Sequence, residues 1–253
     1  MMGARDCWLL LLAAGLPLAA ARAETVLTIA TGELPPYVSA LPQQSFLTDL
    51  LHEVGHQMNV RFRLVFMPWK RSERYVEEKR VWAAVPYVPT PERNARFYFS
   101  VPLYPKKTVF FYYSASGRPK QISYQQLHEL RGYRIGAVRG YFYEKMLQEA
   151  QLSLSFSSGE EQGLGMLHAG RIDLLPALET TGWYLVGKLF PTERQHFFTV
   201  DKPLDVGANY LMTAQDYPNG QQLLQRFNTA LQAVKSNGSY QRIARKHGLV
   251  LGN

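Results

Sequence analysis

Between residues 26 and 85 the hydrophobic pattern switches repeatedly between the strand period and the helix period, and this limits the folds open to the chain. Residues 26–30 alternate and are rich in β-branched side chains, so they read as a strand, stopped by Gly32 and Pro35-Pro36. Phe46, Leu47, Leu50, Leu51, Val54 and Met58 then recur at helical spacing, with Ser45 as the expected cap. Residues 61–66 alternate again, 69–79 form a charged helical stretch, and 81–85 are a short apolar run. A strand–helix–strand–helix–strand order predicts a parallel sheet with crossover helices.

The run at 81–85 leads into the most informative stretch, 81–104. It breaks at Pro86, Pro89 and Pro91, places Arg93 just past a strand end, and resumes with Phe97, Phe99 and Tyr104. Ligands bind at the carboxyl ends of strands in open α/β sheets, and a guanidinium holds an oxyanion through two hydrogen bonds. An arginine there either pairs with Glu92 at the surface or serves as an anion anchor.

A second set of α/β units follows a polar linker at 114–120. Strands are expected at 109–113, 134–138, 152–156, 172–177, 197–200 and 207–212. Helices are expected at 124–130, 141–151, 159–169, 179–189, 217–235 and 239–247. The division is then a leader at 1–23, a first lobe at 24–110, a second lobe at 111–206, and a return to the first lobe at 207–253. Two lobes joined by two strands form a cleft that closes by hinging around a small ligand.

The leader has Arg5 in a basic start, an apolar core at 8–21 interrupted by Pro17, and Ala21-Arg22-Ala23 as a small-x-small cleavage site. Export with Glu24 as the mature start is expected, and with it a periplasmic location. The single cysteine, Cys7, lies ahead of the apolar core. The mature chain therefore has no disulfide, thiolate metal site or cysteine nucleophile. The net charge of +8 favours anionic ligands or surfaces. The basic residues, among them Arg61, Lys106, Arg131, Arg171 and Arg245, are spread out and read as a solvated surface, so no nucleic-acid partner is expected.

Five segments carry a family resemblance. They are Gly32-Glu33-Leu34-Pro35-Pro36-Tyr37; Pro89-Thr90-Pro91-Glu92-Arg93 with the 97–104 run Phe-Tyr-Phe-Ser-Val-Pro-Leu-Tyr; Arg134-Ile135-Gly136-Ala137-Val138-Arg139-Gly140; Ala169-Gly170-Arg171-Ile172-Asp173; and Asn237-Gly238-Ser239-Tyr240 with the helix after it. In this order and spacing the chain resembles the bacterial periplasmic solute-binding proteins of the polar amino-acid type, extracellular solute-binding family 3. The resemblance implies a type II periplasmic binding protein-like, two-lobed α/β fold. It also implies a monomer that binds a small carboxylate-bearing solute, uses no cofactor, and delivers the solute to ABC transporter membrane subunits.

By that resemblance Arg93 clamps the ligand carboxylate. The hydroxyl residues usual before it are replaced by Pro86 and Val88, and those after the second-lobe glycine by Tyr141 and Phe142. The ammonium-binding Asp falls on Leu178, leaving Glu179 next door and Glu33 as possible cation partners. Tyr37, Trp69, Tyr87, Tyr141 and Phe142 are the expected aromatic walls, each with core packing as its structural alternative.

Three other readings were open to the same residues. A dehydratase on this fold would use Glu179 or Glu33 as a buried acid. A sensor would present its closed form to a separate membrane receptor. His52-Glu53-Val54-Gly55-His56 matches the HExxH zinc motif, but it lies on an expected outer crossover helix and lacks an evident third ligand, so neither metal binding nor catalysis is assigned to it.

Overall fold

The computed structural model describes residues 25–41 and 45–251. The predicted leader and its cleavage site lie outside the described residues. The first half runs β1 (Thr25–Thr31), α1 (Phe46–Met58), β2 (Val60–Phe66), α2 (Trp69–Glu77), β3 (Ala83–Tyr87), the single turn α3 (Pro91–Asn94) and β4 (Phe97–Phe99). β1 lies between β2 and β3 and is parallel to both, as the strand–helix–strand order predicts.

α1 buries Phe46, Leu47, Leu50, Leu51, Val54 and Met58, the residues at helical spacing. Each large apolar side chain taken out of water contributes roughly 1.5–3 kcal/mol. The helix ends at Asn59, whose left-handed backbone (φ 54°) closes the last turn. Ser45 does not cap it through a backbone N–H; its Oγ lies 2.8 Å from Thr48 Oγ1 instead.

The chain then crosses to a second set of elements on β5 (Tyr104–Tyr113). These are β6 (Arg134–Val138), α4 (Glu144–Glu149), β7 (Ser153–Ser157), α5 (Glu160–His168), β8 (Leu175–Leu178), α6 (Glu179–Leu189) and β9 (Phe197–Thr199). β10 (Asp205–Ala214) carries the chain back, and α7 (Gly220–Ser236) and α8 (Ser239–Lys246) pack near α1.

The two long strands join the halves. β10 pairs antiparallel with β5 over Asp205–Asn209, and then with β3 and β4 over Tyr210–Ala214. β5 in turn pairs with β8 and β9 through Thr108–Tyr113. One apolar cluster gathers α1, α7, α8 and the first strands, while Phe110, Tyr124, Ile135, Leu147, Leu164 and Val186 belong to two others on the far side. The molecule is thus a two-lobed α/β fold of the periplasmic binding protein type, with its lobes meeting at β5 and β10.

Several element boundaries differ from the sequence expectation. Residues 124–130, expected to be helical, contain instead a 3-10 turn at Leu127–Gly132, capped reciprocally by Gln126 and Glu129. The helix expected over 141–151 is confined to Glu144–Glu149. β5 begins at Tyr104 rather than at 109, because Pro105, Lys106 and Lys107 hide the start of a strand whose partners lie a hundred residues away. Among the described residues, no helix is long and apolar enough to cross a membrane.

Candidate functional site

The site grows from the end of β3. Thr90 accepts the Arg93 backbone N–H on its Oγ1 at 3.2 Å, and Pro91 opens the turn, so α3 is a capped single turn that aims Arg93 inward. Arg93 is only 7% exposed. It does not pair with Glu92, which is bound to Lys145 of the second lobe.

Arg93 instead donates from Nε and Nη2 to Glu73 Oε2 at 3.1 and 3.0 Å, from Nη1 to the Val88 carbonyl at 3.0 Å, and from Nη2 to the Gly140 carbonyl at 2.9 Å. Four of the five guanidinium donors are used, leaving one on Nη1. The Gly140 bond crosses from one lobe to the other. The guanidinium also lies over the Tyr87 ring, 4.9 Å from its centroid.

The two lobes close on a cavity of about 50 Å³. Arg93, Tyr87 and Trp69 line it from the first lobe, Gly140, Tyr141, Phe142 and Leu178 from the second, and Lys106 and Asn209 from the crossing strands. Tyr87 donates its hydroxyl to the Trp69 carbonyl at 2.6 Å, and burial pushes its pKa up. Trp69 meets Tyr87 and Tyr141 edge-on, with ring centroids 5.9 Å apart in both cases. Its indole also lies where a side chain on Gly32 would be, 2.6 Å from an added Cβ, so only glycine fits there.

Lys106 is a second buried cation. Its side chain is 1% exposed, is paired with Asp205, and sits 4.1 Å from the centroid of the Phe142 ring. Burial holds its pKa below the ordinary lysine value. The sequence reading placed Lys106 among surface charges, and its burial corrects that. Asn209 Nδ2, also buried in this wall, has no hydrogen-bond partner.

Of the residues singled out from the sequence, the structure therefore brings Arg93, Trp69, Tyr87, Tyr141 and Phe142 to one cavity and leaves the others outside it. Tyr37 lies behind the wall, stacked on Tyr104 at 4.2 Å. Glu33 is exposed and accepts the Ala40 N–H at 2.8 Å, closing its own loop. Glu179 faces outward to Lys107 at 3.1 Å, while its neighbour Leu178 faces the cavity.

Neither acid is positioned as the buried acid a dehydratase reading would need. Among the described residues the buried acid is Glu160, first residue of α5 and 4% exposed, whose pKa burial raises to about 7. Nothing in its sequence neighbourhood marks it, since an acid after Gly159 reads as an ordinary helix start. Glu73 is equally hidden among the charges of α2. His52 and His56 are exposed on α1, and among the described residues no group of three or more His, Cys, Asp or Glu is placed to hold a metal ion.

Comparison with known proteins accords with this fold. The profile of the bacterial extracellular solute-binding proteins, family 3, matches residues 27–250. The ABC transporter arginine-binding protein 1 of Escherichia coli (strain K12) is 27% identical over 161 residues, which cover 61% of this chain and 60% of that protein. A histidine kinase sensor domain with similarity to periplasmic binding proteins superimposes with a TM-score of 0.78 at 17% identity, covering 90% of this chain and 97% of its own. An ancestral arginine-binding protein bound to arginine does so with a TM-score of 0.74 at 18% identity, covering 88% and 98%. The match to the family extends over nearly all the described residues, and the chain belongs to the bacterial extracellular solute-binding proteins, family 3.

Proposed function

We propose that this chain captures a small carboxylate-bearing solute of the amino-acid class between its lobes and delivers it to the membrane subunits of an ABC-type importer. The observation that carries the reading is the buried Arg93 guanidinium in the wall of an aromatic-lined interlobe cavity. A planar cation over the Tyr87 ring, in a cavity also lined by Trp69, Phe142 and Lys106, suits an anion better than a neutral or cationic group. The Asn209 Nδ2 donor would give the same anion a further hydrogen bond.

The cavity is far smaller than the roughly 300–1,000 Å³ of most ligand sites, so the closed arrangement must part to admit a solute. β5 and β10 are the natural hinge, being the two strands shared by both lobes. The lobes are then residues 24–110 with 207–253, and 111–206. Export to the periplasm with Glu24 as the first mature residue belongs to the same reading, as does action as a monomer that turns over no substrate. The likeness to an arginine-binding transporter protein supports the amino-acid class without naming the solute.

The test is calorimetric titration of the purified exported protein with the common L-amino acids and with simple carboxylates, beside the Arg93→Ala variant. A carboxylate-bearing compound should bind the wild type at micromolar concentration or better, and the variant should lose that binding by about a hundredfold. Equal affinity in the folded variant would remove Arg93 as the anchor.

A further inference from the structure

Lys106 is a buried cation beyond the one that a single carboxylate anchor needs. On β5 the side chains of Tyr104, Lys106 and Thr108 are buried, while those of Pro105 and Lys107 are exposed. Across the ladder Lys106 stands opposite Gly207 of β10, which makes Asp205 and Asn209 its diagonal neighbours on the same face. Asp205 takes one of the three ammonium hydrogens, and among the described residues no other acceptor takes the remaining two. The Lys106 side chain is 1% exposed and that of Asp205 32%, so the counter-acid lies toward solvent.

The cavity wall is built of donors. Among the described residues that line it are two cations, Arg93 and Lys106, and no acid. Glu73, the partner of Arg93, lines the neighbouring groove instead. The Val88 and Gly140 carbonyls already accept from Arg93. Asn209 adds a buried amide nitrogen with no partner. The Lys106 ammonium lies 4.1 Å from the centroid of the Phe142 ring, and burial outweighs Asp205 in holding its pKa down. An ammonium in low dielectric with two open donors is costly. An anion from outside the chain relieves that cost, whereas a second ammonium adds to it. A cavity of about 50 Å³ keeps Lys106 and Arg93 within reach of one small molecule.

We infer that Lys106, with the Asn209 amide as its neighbour, holds a second acid group of the solute, so that the site selects short dicarboxylates and gains nothing from an amino group. This rests on the carboxylate reading above, in which Arg93 takes the first acid group, and narrows it to acidic solutes. A carboxylate at Lys106 fills the two open ammonium donors while Asp205 keeps the third. A carboxamide in the same place offers one acceptor oxygen and turns an NH₂ group toward a cation, so it binds worse. An amino group on the solute meets no carboxylate in the wall, because the residue there is the apolar Leu178 and the neighbouring Glu179 reaches out to Lys107.

The experiment titrates wild type, Lys106→Gln and Arg93→Ala by calorimetry with two sets of probes. One is succinate, L-aspartate and L-asparagine, and the other glutarate, L-glutamate and L-glutamine. Circular dichroism melts confirm that each variant is folded. Glutamine at 106 can still donate to Asp205, so the substitution removes the charge without orphaning that acid. In one set at least, wild type should bind the dicarboxylic amino acid about thirtyfold more tightly than its amide. The amine-free dicarboxylate should bind within about threefold of the dicarboxylic amino acid. Lys106→Gln should bring the acid down to the affinity of the amide and leave the amide unchanged. Arg93→Ala should weaken acid and amide together.

Equal binding of acid and amide by wild type overturns the inference, and this comparison needs no variant. So does an acid preference that survives Lys106→Gln. Equal weakening of acid and amide in Lys106→Gln overturns it too, because both cations would then share one carboxylate. An amino acid that binds more than tenfold tighter than its amine-free counterpart shows that the amino group is recognised, and overturns the selectivity. In each of these cases a loss in Arg93→Ala still upholds the carboxylate reading. If the six probes fail while a monocarboxylic amino acid binds through Arg93, the inference alone falls. If no carboxylate binds wild type, both fall.

Discussion

Arg93 and Glu73 are joined by a two-donor ion pair in which Nε and Nη2 both reach the same oxygen, Oε2, at 3.1 and 3.0 Å. The pair is largely removed from solvent, with side chains 8% and 19% exposed. Glu73 thus occupies the Nε–Nη2 side of the guanidinium, the side a bidentate carboxylate would use. Exchanging Glu73 for glutamine keeps an acceptor but removes the competing charge. Glu73→Gln should therefore raise affinity for carboxylate-bearing amino acids by about three- to tenfold, read by calorimetry. A fall in affinity would mean that Glu73 serves to orient Arg93 rather than to compete for it.

The same contacts give Arg93 a structural part in the fold. Removing it leaves the Glu73 carboxylate partly buried, with Arg96 as its remaining partner at 2.8 Å, and orphans the Val88 and Gly140 carbonyls. Breaking a buried pair costs about 3–5 kcal/mol, and the Arg96 contact and partial exposure reduce that here. Arg93→Ala should lower unfolding free energy by roughly 2–3 kcal/mol in urea titrations. A variant within about 0.5 kcal/mol of wild type would show that solvent replaces these bonds freely.

How much of this could be read from the chain differs by element, for physical reasons. α1 was legible because it buries one face and so writes its period into the sequence, and the parallel β1–β2 pair because β-branched strand runs flank that helix. Arg93 was legible because it stands just past a strand end broken by prolines, in the 89–93 segment that carries the family resemblance. Its partner Glu73 was not, since an acid 20 residues away on a charged helix looks like any solvated residue. Lys106 was misplaced for the same reason, as its partner Asp205 lies 99 residues further on. At residues 178 and 179 a single step along the chain decides which side chain enters the cavity. The apolar Leu178 points in and Glu179 reaches out to Lys107, so an acid that seemed close in sequence is outside the site.

At Gly140 the second lobe comes close to the start of α2 in the first. Its φ is +80°, and an added Cβ would come within 3.0 Å of the Lys70 backbone nitrogen on the opposite lobe. Its carbonyl also accepts the Arg93 bond across the cleft. Gly140→Ala should incur the left-handed backbone cost of about 1–2 kcal/mol in any arrangement of the lobes and, through the Lys70 contact, disfavour the closed form by about a further 1 kcal/mol. Small-angle scattering should then show a larger radius of gyration for the unliganded variant, and affinity should fall by about tenfold. An unchanged radius and affinity would place the closing contacts elsewhere.

Glu160 makes stability depend on pH in a direction opposite to that of most carboxylates. Its folded-state pKa of about 7 lies above the ordinary glutamate value of 4.5, because burial disfavours the charged form. The native state therefore binds more protons than the unfolded chain between those two values, and stability contributed by this group falls as pH rises through that window. The contribution is fully present below about pH 4.5 and lost above about pH 7, amounting to at most about 3 kcal/mol. Asp49 and Asp173 have lowered pKa values from their cationic partners and act in the opposite sense at lower pH, so the Glu160 term is isolated by difference. Glu160→Gln cannot ionise, and its stability relative to wild type should rise between about pH 5 and 8. Urea titrations of both proteins at these two pH values measure that difference. A difference that stays constant would show that Glu160 ionises in the folded protein with an ordinary pKa.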